Sequence, residues 1–300
     1  MQPVSILITG SNGLVGRELI RAFAHTDYAV HATSSSHDKI NQPGVSFHQL
    51  DIRDKAGVSN LIEILKPSVV IHSAAISAPD VCEVDKALCN AVNIDGTQHV
   101  ADACKAVNAR MLFLSTDFVF DGEKGPYAEE DNPNPVSYYG WSKLEGEKIV
   151  QQLPHWAIVR TVLVYGDTVG LNRANFVTWA KSSLEKGEKI RVVNDQFRTP
   201  TYAPDLALGI VEATKFLLDN NTNEIWHLSG PLPLISVYDM ALQIAAFYTL
   251  DASLIEPVAS ASLQQPAKRP PTTGFSINKA QKRLNYNPVQ FINGLGKLGL

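Results

Sequence analysis

The chain contains little cysteine and has no strong excess of one charge. Its 300 residues include three cysteines, Cys82, Cys89 and Cys104, and the formal net charge at pH 7 is −4. An odd and sparse set of cysteines fits a reducing compartment and argues against a disulfide framework or a zinc site. Because nucleic-acid binding depends largely on basic side chains that contact phosphates, the charge balance also argues against DNA or RNA as the main partner.

Long apolar segments are missing as well. Every apolar stretch ends well short of the roughly 18 residues that indicate a transmembrane helix. The first ten residues hold no basic segment and too short an apolar run for a signal peptide. The eight histidines are scattered without the spacing of metal ligands. We therefore expect a cytoplasmic protein with no membrane association and no catalytic metal.

The composition is that of an ordinary globular protein, with 45% hydrophobic and 19% charged residues. Through the first half, short β-rich segments alternate with longer helical patterns, as in βαβ units built on a parallel sheet. The predicted strands are Ser5–Ile8, Ala29–Thr33, Ser46–Leu50, Val69–His72, Arg110–Ser115 and Ala157–Arg160. The predicted helices are Gly13–Ala24, Lys55–Lys66, Pro79–Cys104 and Ser137–Gln152.

The pattern changes after Gly166. Helical patterns separated by polar and proline-rich connections then cover Asn175–Lys186, Pro204–Asp219 and Val237–Tyr248. The segment Gln264–Thr273 contains three prolines and is predicted to be an extended loop.

These patterns predict an α/β fold, a Rossmann-type doubly wound parallel sheet with a smaller C-terminal α/β substrate lobe. Residues 1–165 are predicted to form the dinucleotide-binding domain, with return segments around 195–230. Residues 166–300 are predicted to form mainly the substrate-binding lobe.

A glycine-rich turn connects the first predicted strand to the first predicted helix. Gly10 permits the tight turn, Gly13 allows a pyrophosphate to approach the backbone, and Gly16 allows the helix to pack closely on the strand. The start of the helix then offers free N–H groups to the phosphates. The position at the first strand of a βαβ series favours a dinucleotide site over a plain glycine-rich turn. The predicted contacts are Gly10, Ser11, Asn12, Gly13, Leu14, Val15 and Gly16.

The second strand ends without the acidic residue that binds the adenosine ribose of NAD. Thr33, Ser34 and Ser35 stand there instead, so no carboxylate would repel a 2′-phosphate. The sequence therefore favours NADP(H), with NAD(H) as the alternative. Further predicted cofactor contacts follow the third and fourth strands, namely Asp51, Ile52, Ser73, Ala74 and Ala75. An ordinary strand-end acid remains an alternative for Asp51, and a structural role is preferred for the neighbouring His72.

A tyrosine and a lysine lie four residues apart at Tyr139 and Lys143, and on a helix they share a face. A cation close to a phenol lowers its pKa, so Tyr139 is expected to act as an acid or base towards a carbonyl or alcohol. Such a pair also arises by chance. Thr116 strengthens the prediction, because it ends a buried strand at the sheet edge where open parallel sheets bind ligands. A capping or loop hydroxyl is the alternative for Thr116.

With these residues the chain resembles the extended short-chain dehydrogenase/reductases, and among them the dTDP-4-dehydrorhamnose reductase family. The resemblance extends from residue 1 to about residue 290. The stretches that carry it are 9–16, 92–97, 114–122, 138–147, 160–166, 195–201, 205–207, 227–230 and 269–270. The stretches 115–122 and 195–201 are more specific to the reductase branch than the glycine loop and the Tyr–Lys pair.

The resemblance implies reduction of the 4-keto group of a nucleotide-linked deoxysugar by a nicotinamide cofactor. Thr116 would bind the keto oxygen and Tyr139 would deliver the proton. Lys143 would tune Tyr139 and hold the nicotinamide ribose. Related dehydratases carry an Asp-Glu pair after the threonine, whereas this chain has Asp117 and Phe118. The resemblance therefore favours a reductase over a dehydratase.

Four residues are predicted to contact the substrate, Phe118, Asn175, Arg198 and Arg269. The two arginines suit a diphosphate because a guanidinium binds such groups with two parallel hydrogen bonds. Surface salt bridges are the alternative for both.

Two other functions remain open. One is a sugar-nucleotide epimerase of the same superfamily. The other is a non-catalytic NADP-binding regulatory subunit like that of methionine adenosyltransferase. A homodimer also stays open, because the helices predicted at Pro79–Cys104 and Ser137–Gln152 are those that pair in dimers of this superfamily.

Overall fold

The computed structural model describes residues 4–171, 174–220 and 222–299. Its strands, in chain order, are β1 Ser5–Thr9, β2 Ala29–Ser34, β3 Val45–Gln49, β4 Val69–His72, β5 Arg110–Thr116, β6 Trp156–Thr161, β7 Val164–Tyr165, β8 Ile190–Val193, β9 Phe197–Arg198, β10 Thr201–Tyr202, β11 Glu224–His227, β12 Ile235–Ser236, β13 Ile255–Val258 and β14 Thr272–Thr273.

The α-helices flank these strands. They are α1 Leu14–Phe23, α2 Lys55–Leu65, α3 Pro79–Val84, α4 Lys86–Cys89, α5 Gly96–Val107, α6 Tyr138–Val150, α7 Phe176–Glu185, α8 Ala203–Asn220, α9 Val237–Phe247, α10 Asn278–Leu284 and α11 Phe291–Leu295. A π-helix at Asn90–Asp95 and a 3₁₀ turn at Asp117–Val119 lie close to the site described below.

The central sheet has seven strands in the order β11-β6-β5-β4-β1-β2-β3, and every pairing in it is parallel. The strand order reverses between β1 and β4, which is the arrangement of a doubly wound sheet. The predicted fold class is therefore confirmed. The six strands predicted from the first half are present within one residue at each end, and β11 adds a seventh beside β6.

Helices cover both faces of this sheet. On one face the core contains Leu7, Val70 and Met111 with residues of α2 and α5. On the other face it contains Ile6, Ile8 and Leu112 with residues of α1 and α8. Because both faces of β1, β4 and β5 are covered, these strands are almost continuously apolar, and removing them from water is the main favourable contribution to folding.

A separate core lies in the C-terminal half. It joins α7, α9 and α11 to the parallel pair β8–β13, around Val177, Met240, Ile244 and Ile255. The small strands β12, β9 and β14 form a second sheet that leads back towards the carboxyl edge of the central sheet.

The single helix predicted over Pro79–Cys104 is wrong, because the chain interrupts it twice. Asp85 leaves the helical conformation, and its side chain accepts a hydrogen bond from the backbone N–H of Leu88 at 2.9 Å, which starts α4 as a new helix. The π-helical turn then follows before α5 begins. An Asp side chain at this position satisfies a free helical N–H more directly than continuing the helix would.

The predicted extended loop is confirmed up to residue 271, and Thr272–Thr273 then form β14 against β9. Within the described ranges, no helix is both long enough and apolar enough to cross a membrane.

Candidate active site

The glycine-rich turn lies between β1 and α1, at the carboxyl edge of the central sheet. Gly10 has a φ of +72°, and a β-carbon there would lie 2.7 Å from the backbone nitrogen of Ala74. A β-carbon on Gly16 would overlap the carbonyl oxygen of Gly10. Both glycines are therefore required by the turn and by the packing of the helix on the strand. A β-carbon on Gly13 meets only the Gly10 oxygen, at 3.3 Å, so the fold needs only a small local shift to admit it.

Two buried hydroxyl groups next to this turn have no protein partner. They are the Oγ of Ser11, in the turn, and the Oγ1 of Thr33, near the end of β2. A buried hydroxyl without a hydrogen bond is unfavourable, so such groups indicate a place for a polar ligand or water. Together with the open backbone at Gly13 and the free N–H groups at the start of α1, they fit the phosphates and ribose of a dinucleotide.

Asn12 holds the loop after β2 against the glycine-rich turn. Its Nδ2 donates to the Oγ of Ser36 at 3.0 Å and to the carbonyl of His37 at 2.8 Å. Its Oδ1 accepts from the backbone N–H of Lys39 at 3.2 Å. The side chain therefore positions the segment next to Ser34 and Ser35, where a ribose or 2′-phosphate is predicted.

Leu14 and Val15 serve the packing of α1. Val15 packs against the apolar core on that face, and a side chain on Gly166 would touch Leu14 at 3.1 Å.

The residues after β3 have partners within the protein. Asp51 accepts several hydrogen bonds from the guanidinium of Arg53, which hold the pKa of its carboxyl below the usual value. Ile52 is buried, and its side chain would clash with a β-carbon on Gly96. The ion pair with Arg53 is what we expect of Asp51 as an ordinary acid at a strand end, the alternative to a cofactor contact. Ile52 forms an apolar wall beside the start of α5.

The end of β4 is tied directly to the end of β1. The Oγ of Ser73 donates to the carbonyl of Thr9 at 2.6 Å, and the backbone N–H of Ala74 donates to the Oγ1 of Thr9 at 3.2 Å. His72 bridges Thr9 at 2.8 Å and Thr97 at 3.1 Å, and burial lowers its pKa to about 3. These contacts support the structural role preferred for His72 and place Ser73 and Ala74, followed by Ala75, beside the glycine-rich turn.

The three predicted catalytic residues come together at the same edge of the sheet. Thr116 is the last residue of β5, and Tyr139 and Lys143 lie one turn apart on α6. All three are buried, and the hydroxyl of Thr116 lies close enough to the phenol of Tyr139 to lower its pKa. Thr116 also accepts a hydrogen bond from the backbone N–H of Phe118 at 3.3 Å, so the capping alternative is met by the same hydroxyl.

The pKa of Tyr139 differs from the expectation drawn from the sequence. Burial raises the pKa, and the nearby hydroxyl of Thr116 only partly offsets that rise. Lys143 is itself so strongly desolvated that its pKa falls to about 7, although Glu147 one turn further along opposes the change. The prediction of a lowered pKa for Tyr139 is therefore wrong for this conformation, because burial disfavours the charged form of both groups.

Phe118, a predicted substrate contact, lies beside Tyr139. Its ring packs edge-on against that of Tyr139, with 5.5 Å between the centroids. A glutamate at this position would bring a carboxylate to the tyrosine, whereas the phenyl ring provides an apolar wall.

Asp117 is a site residue that the sequence prediction missed. Its buried carboxylate accepts hydrogen bonds from Thr116 at 3.1 Å and from Thr273 of β14, and the guanidinium of Arg198 lies 3.8 Å away. Burial raises the pKa of Asp117, and Arg198 opposes the rise. Its position directly after Thr116 at a strand end was the available signal.

The predicted diphosphate ligands are engaged with the protein itself. Arg198 is buried and donates to the carbonyl groups of Pro270 at 2.8 Å and Pro271 at 2.9 Å. Arg269 forms two hydrogen bonds with Asp80, at 3.1 and 2.7 Å. Both arginines therefore form ion pairs within the protein, which was the alternative to diphosphate binding. Arg269 pairs with Asp80 and Arg198 with Asp117, although Arg198 lies in the interior and not on the surface.

The fourth predicted substrate contact, Asn175, caps α7. Its Oδ1 accepts from the backbone N–H of Thr178 at 3.1 Å, and its Nδ2 donates to the carbonyl of Gly166 at 2.7 Å. The Asn175 side chain therefore joins the start of α7 to Gly166, where the first half of the chain ends.

Asn93, in the π-helical turn, is a second residue without a predicted role. Its Nδ2 donates to the Oγ of Ser142 at 3.0 Å and to the carbonyl of Ile76 at 3.1 Å, and it contacts the sulfur atoms of Cys82 and Cys89. It thus joins the interrupted helical segment to the tyrosine helix. Among residues 4–171, 174–220 and 222–299, no group of three or more His, Cys, Asp or Glu side chains is arranged to hold a metal ion.

The chain is similar to known proteins over nearly its whole length. The family model of the RmlD substrate binding domain matches residues 4–298. The dTDP-4-dehydrorhamnose reductase of Aggregatibacter actinomycetemcomitans is 31% identical over 300 residues, with 97% of this chain and 96% of that protein covered. Methionine adenosyltransferase 2 subunit beta of Bos taurus is 31% identical over 255 residues, with 84% and 75% covered.

A solved structure leads to the same family. The dTDP-4-dehydrorhamnose reductase of Bacillus anthracis, determined in complex with NADP, is 26% identical, with 99% of each chain covered and a TM-score of 0.81. The resemblance stated from the sequence motifs is confirmed: this chain belongs to the family of the RmlD substrate binding domain.

Proposed function

We propose that the protein is an NADPH-dependent reductase that converts the 4-keto group of a nucleotide-linked deoxysugar to an alcohol, as in dTDP-4-dehydrorhamnose reductases. The observation that carries this proposal is the convergence of Thr116, Tyr139 and Lys143 at the carboxyl edge of the sheet, where the glycine-rich turn also lies. Each group has a role in such a reduction, and the relatives named as dTDP-4-dehydrorhamnose reductases match nearly the whole chain.

In this mechanism the hydroxyl of Thr116 binds the keto oxygen and orients it towards Tyr139. The phenol of Tyr139 then donates its proton to the oxygen as the alkoxide develops, and its raised pKa keeps it protonated until that moment. The ammonium of Lys143 stabilises the phenolate that results and holds the nicotinamide ribose. Phe118 excludes water from the ring of Tyr139.

The bound nicotinamide cofactor supplies the hydride. Gly10, Gly13 and Ser11 would hold its pyrophosphate, and Thr33 and Ser34 its adenosine ribose. We propose NADP(H) as the preferred cofactor and NAD(H) as the alternative, because the end of β2 carries no acid and the Bacillus anthracis relative was solved with NADP.

The test is the oxidation of NADPH, followed at 340 nm, with dTDP-4-dehydrorhamnose as substrate. Tyr139→Phe serves as the inactive variant. Loss of absorbance with the wild type, at least about a hundredfold slower with the variant, is the expected result. A wild type that binds NADPH but turns over no keto-sugar nucleotide would contradict the proposal.

A second candidate function is a regulatory subunit that binds NADP without catalysis. The similarity to methionine adenosyltransferase 2 subunit beta favours it, since the identity equals that of the reductase relative. Chemical competence discriminates between the two, because a regulatory subunit does not need the phenol of Tyr139. A sugar-nucleotide epimerase is a third alternative, and it would interconvert two sugar nucleotides with no net consumption of NADPH.

The organisation and setting of the protein are also proposals. We propose that residues 1–165, with segments returning around 195–230, bind the cofactor and that residues 166–300 bind mainly the sugar nucleotide. The separate core around Met240 and Ile244 supports this division. We further propose a cytoplasmic location, supported by three unpaired, buried cysteines, and a homodimer, which light scattering of the purified protein would test.

A further inference from the structure

The amine of Lys143 lies over an aromatic ring inside the protein. Its Nζ is 4.0 Å from the centroid of the Phe113 ring, within the range of a cation–π interaction. Phe113 is fully buried on β5, three residues before Thr116, and only 3% of Lys143 is exposed. The Phe113 ring therefore packs directly against the amine of Lys143 and forms one side of its buried environment.

A glycine makes room for this ring. Gly146 lies on α6, one turn after Lys143, and a β-carbon there would come within 2.6 Å of the Cζ of Phe113 and 3.2 Å of its Cε1. The Phe113 ring is rigid and belongs to a packed strand, so it has little freedom to retreat. Any larger residue at 146 would push the ring away from its position beneath the amine.

The other groups around the amine leave a specific task for the ring. A buried ammonium is unfavourable unless its charge is stabilised. The titratable groups that act on Lys143 or are acted on by it come from every neighbouring element: Glu147 from its own helix, His72 from β4, Cys82 from α3 and Cys89 from α4. The carboxylate of Glu147 is shared with Arg160, which binds it at 2.7 Å. The Phe113 face thus stabilises the charge without adding a competing proton acceptor.

We propose that Phe113, admitted by Gly146, is a positioning residue that seats the ammonium of Lys143 and maintains its charge in the reduction. The catalytic meaning of this inference rests on the proposed function, whereas the contact between the Phe113 ring and the Lys143 amine is a property of the folded chain. Replacing the ring with an aliphatic side chain removes the π face, so the charged form of Lys143 loses support and its pKa falls.

The experiment measures the pKa of Lys143 directly and compares it with turnover. Protein labelled with ¹³C at the lysine Cε is titrated by NMR, and the Lys143 signal is assigned by its disappearance in Lys143→Met. In Phe113→Leu we expect the pKa of Lys143 to fall by about half a unit to one unit. The alkaline limb of the kcat profile should move to lower pH by a similar amount.

Two further variants test whether the shift comes from losing the π face. Phe113→Met replaces the ring with a flexible side chain that adapts to the space left and carries no π face, so it should reproduce the shift, also if Phe113→Leu fails to fold. Phe23→Leu makes the same change at a fully buried position on the opposite face of the sheet and should leave the pKa of Lys143 unaltered.

An unchanged or raised pKa of Lys143 in both Phe113 variants would contradict the proposed role of Phe113. A shift of equal size in Phe23→Leu would do the same, because it would show a general effect of core loosening. If the wild type turns over no keto-sugar nucleotide, the proposed function fails. The NMR titration still tests whether Phe113 supports the charge of Lys143.

Discussion

Gly16 approaches Gly10 so closely that a β-carbon on Gly16 would overlap the carbonyl oxygen of Gly10. A β-carbon on Gly13 would instead lie 3.3 Å from the same oxygen, a tight contact that a shift of a few tenths of an ångström relieves. The two positions of one glycine motif therefore serve different purposes. One is required by the packing of α1 on β1, and the other leaves the backbone open to a ligand.

We predict that Gly13→Val abolishes dinucleotide binding while the fold survives, because the side chain occupies the space of the pyrophosphate and little else. Calorimetric titration with NADPH and thermal unfolding of the same preparation measure the two effects. Gly16→Ala is the matched variant. It should unfold at a markedly lower temperature, since overpacking in a rigid region costs about 1–3 kcal/mol. An unchanged NADPH affinity in Gly13→Val would remove the phosphate-loop assignment.

The second prediction concerns the proton donor. Tyr139→Phe removes the hydroxyl that protonates the developing alkoxide, so kcat should fall by about 10²–10⁴-fold. The affinity for NADPH should change little, because the ring and Lys143 remain. Steady-state kinetics and fluorescence titration of NADPH give the two quantities.

The adjacent tyrosine is the control for this substitution. Tyr138 is half-buried, and its hydroxyl donates to the Oδ1 of Asn90 at 2.8 Å, away from Thr116. Tyr138→Phe should therefore keep turnover within a few-fold of the wild type. Near-normal turnover in Tyr139→Phe would show that another group delivers the proton.

The third prediction concerns a buried ion pair behind the catalytic helix. Glu147 accepts from Arg160 at 2.9 and 2.7 Å and from the Oγ of Ser115 at 2.5 Å, and both charged side chains are almost inaccessible. Glu147→Ala leaves the guanidinium of Arg160 buried without its partner. The expected loss in the free energy of unfolding is about 3–5 kcal/mol.

Chemical denaturation in urea measures this loss. The comparison is Glu145→Ala, which removes an exposed ion pair with Lys148 on the same helix. That change should cost under about 1 kcal/mol, because water screens and solvates both groups. Equal losses in the two variants would mean that the buried pair contributes no more than a surface pair.

The fourth prediction is a dependence of stability on pH through His72. Burial, with a smaller contribution from the charge of Lys143, lowers its pKa to about 3 from an ordinary value of 6.5. Because the folded state binds this proton less readily than the unfolded state, the stabilisation is complete above pH 6.5 and falls as the pH drops from there towards 3. Between pH 7.5 and 5 the loss should be about 2 kcal/mol.

The measurement is the free energy of unfolding of the wild type and of His72→Asn across this pH range. The variant will be less stable at pH 7.5, since it loses the bonds to Thr9 and Thr97, but its decline towards pH 5 should be shallower. The decline that remains reflects His227 and His31, whose pKa values burial also lowers. A variant with the full wild-type decline would exclude His72 as the source.

Much of the fold follows from local patterns in the sequence. The strands β1, β4 and β5 were predicted to within one residue at each end because both faces of a parallel sheet are buried, which leaves short, almost continuous apolar runs that stand out from the helical periodicity. The glycine spacing predicted the turn after the first strand, because Gly10 and Gly16 meet requirements set by their immediate neighbours. The motif residues also identified Thr116, Tyr139 and Lys143 as a group, and the family match agrees with those motifs.

The features that the sequence did not predict depend on contacts between distant parts of the chain or on a single capping side chain. The partners of Arg198 and Arg269 are the carbonyls of a proline-rich loop and Asp80, and no local pattern predicts such pairings. The interruption of the Pro79–Cys104 helix depends on the side chain of Asp85, which competes with a helical pattern that is otherwise unbroken.

The pKa of Tyr139 was the clearest such difference. Four residues of spacing place a lysine beside the tyrosine, but only the folded packing decides how much water each group loses. Because β5 and the segments around Cys82 and Cys89 enclose α6, burial raises the pKa of the phenol and keeps it protonated. The sequence alone was enough to identify Thr116, Tyr139 and Lys143 as one group, whereas the tertiary structure added Asp117 and decided the pKa of Tyr139 and Lys143, since desolvation depends on every element packed around them.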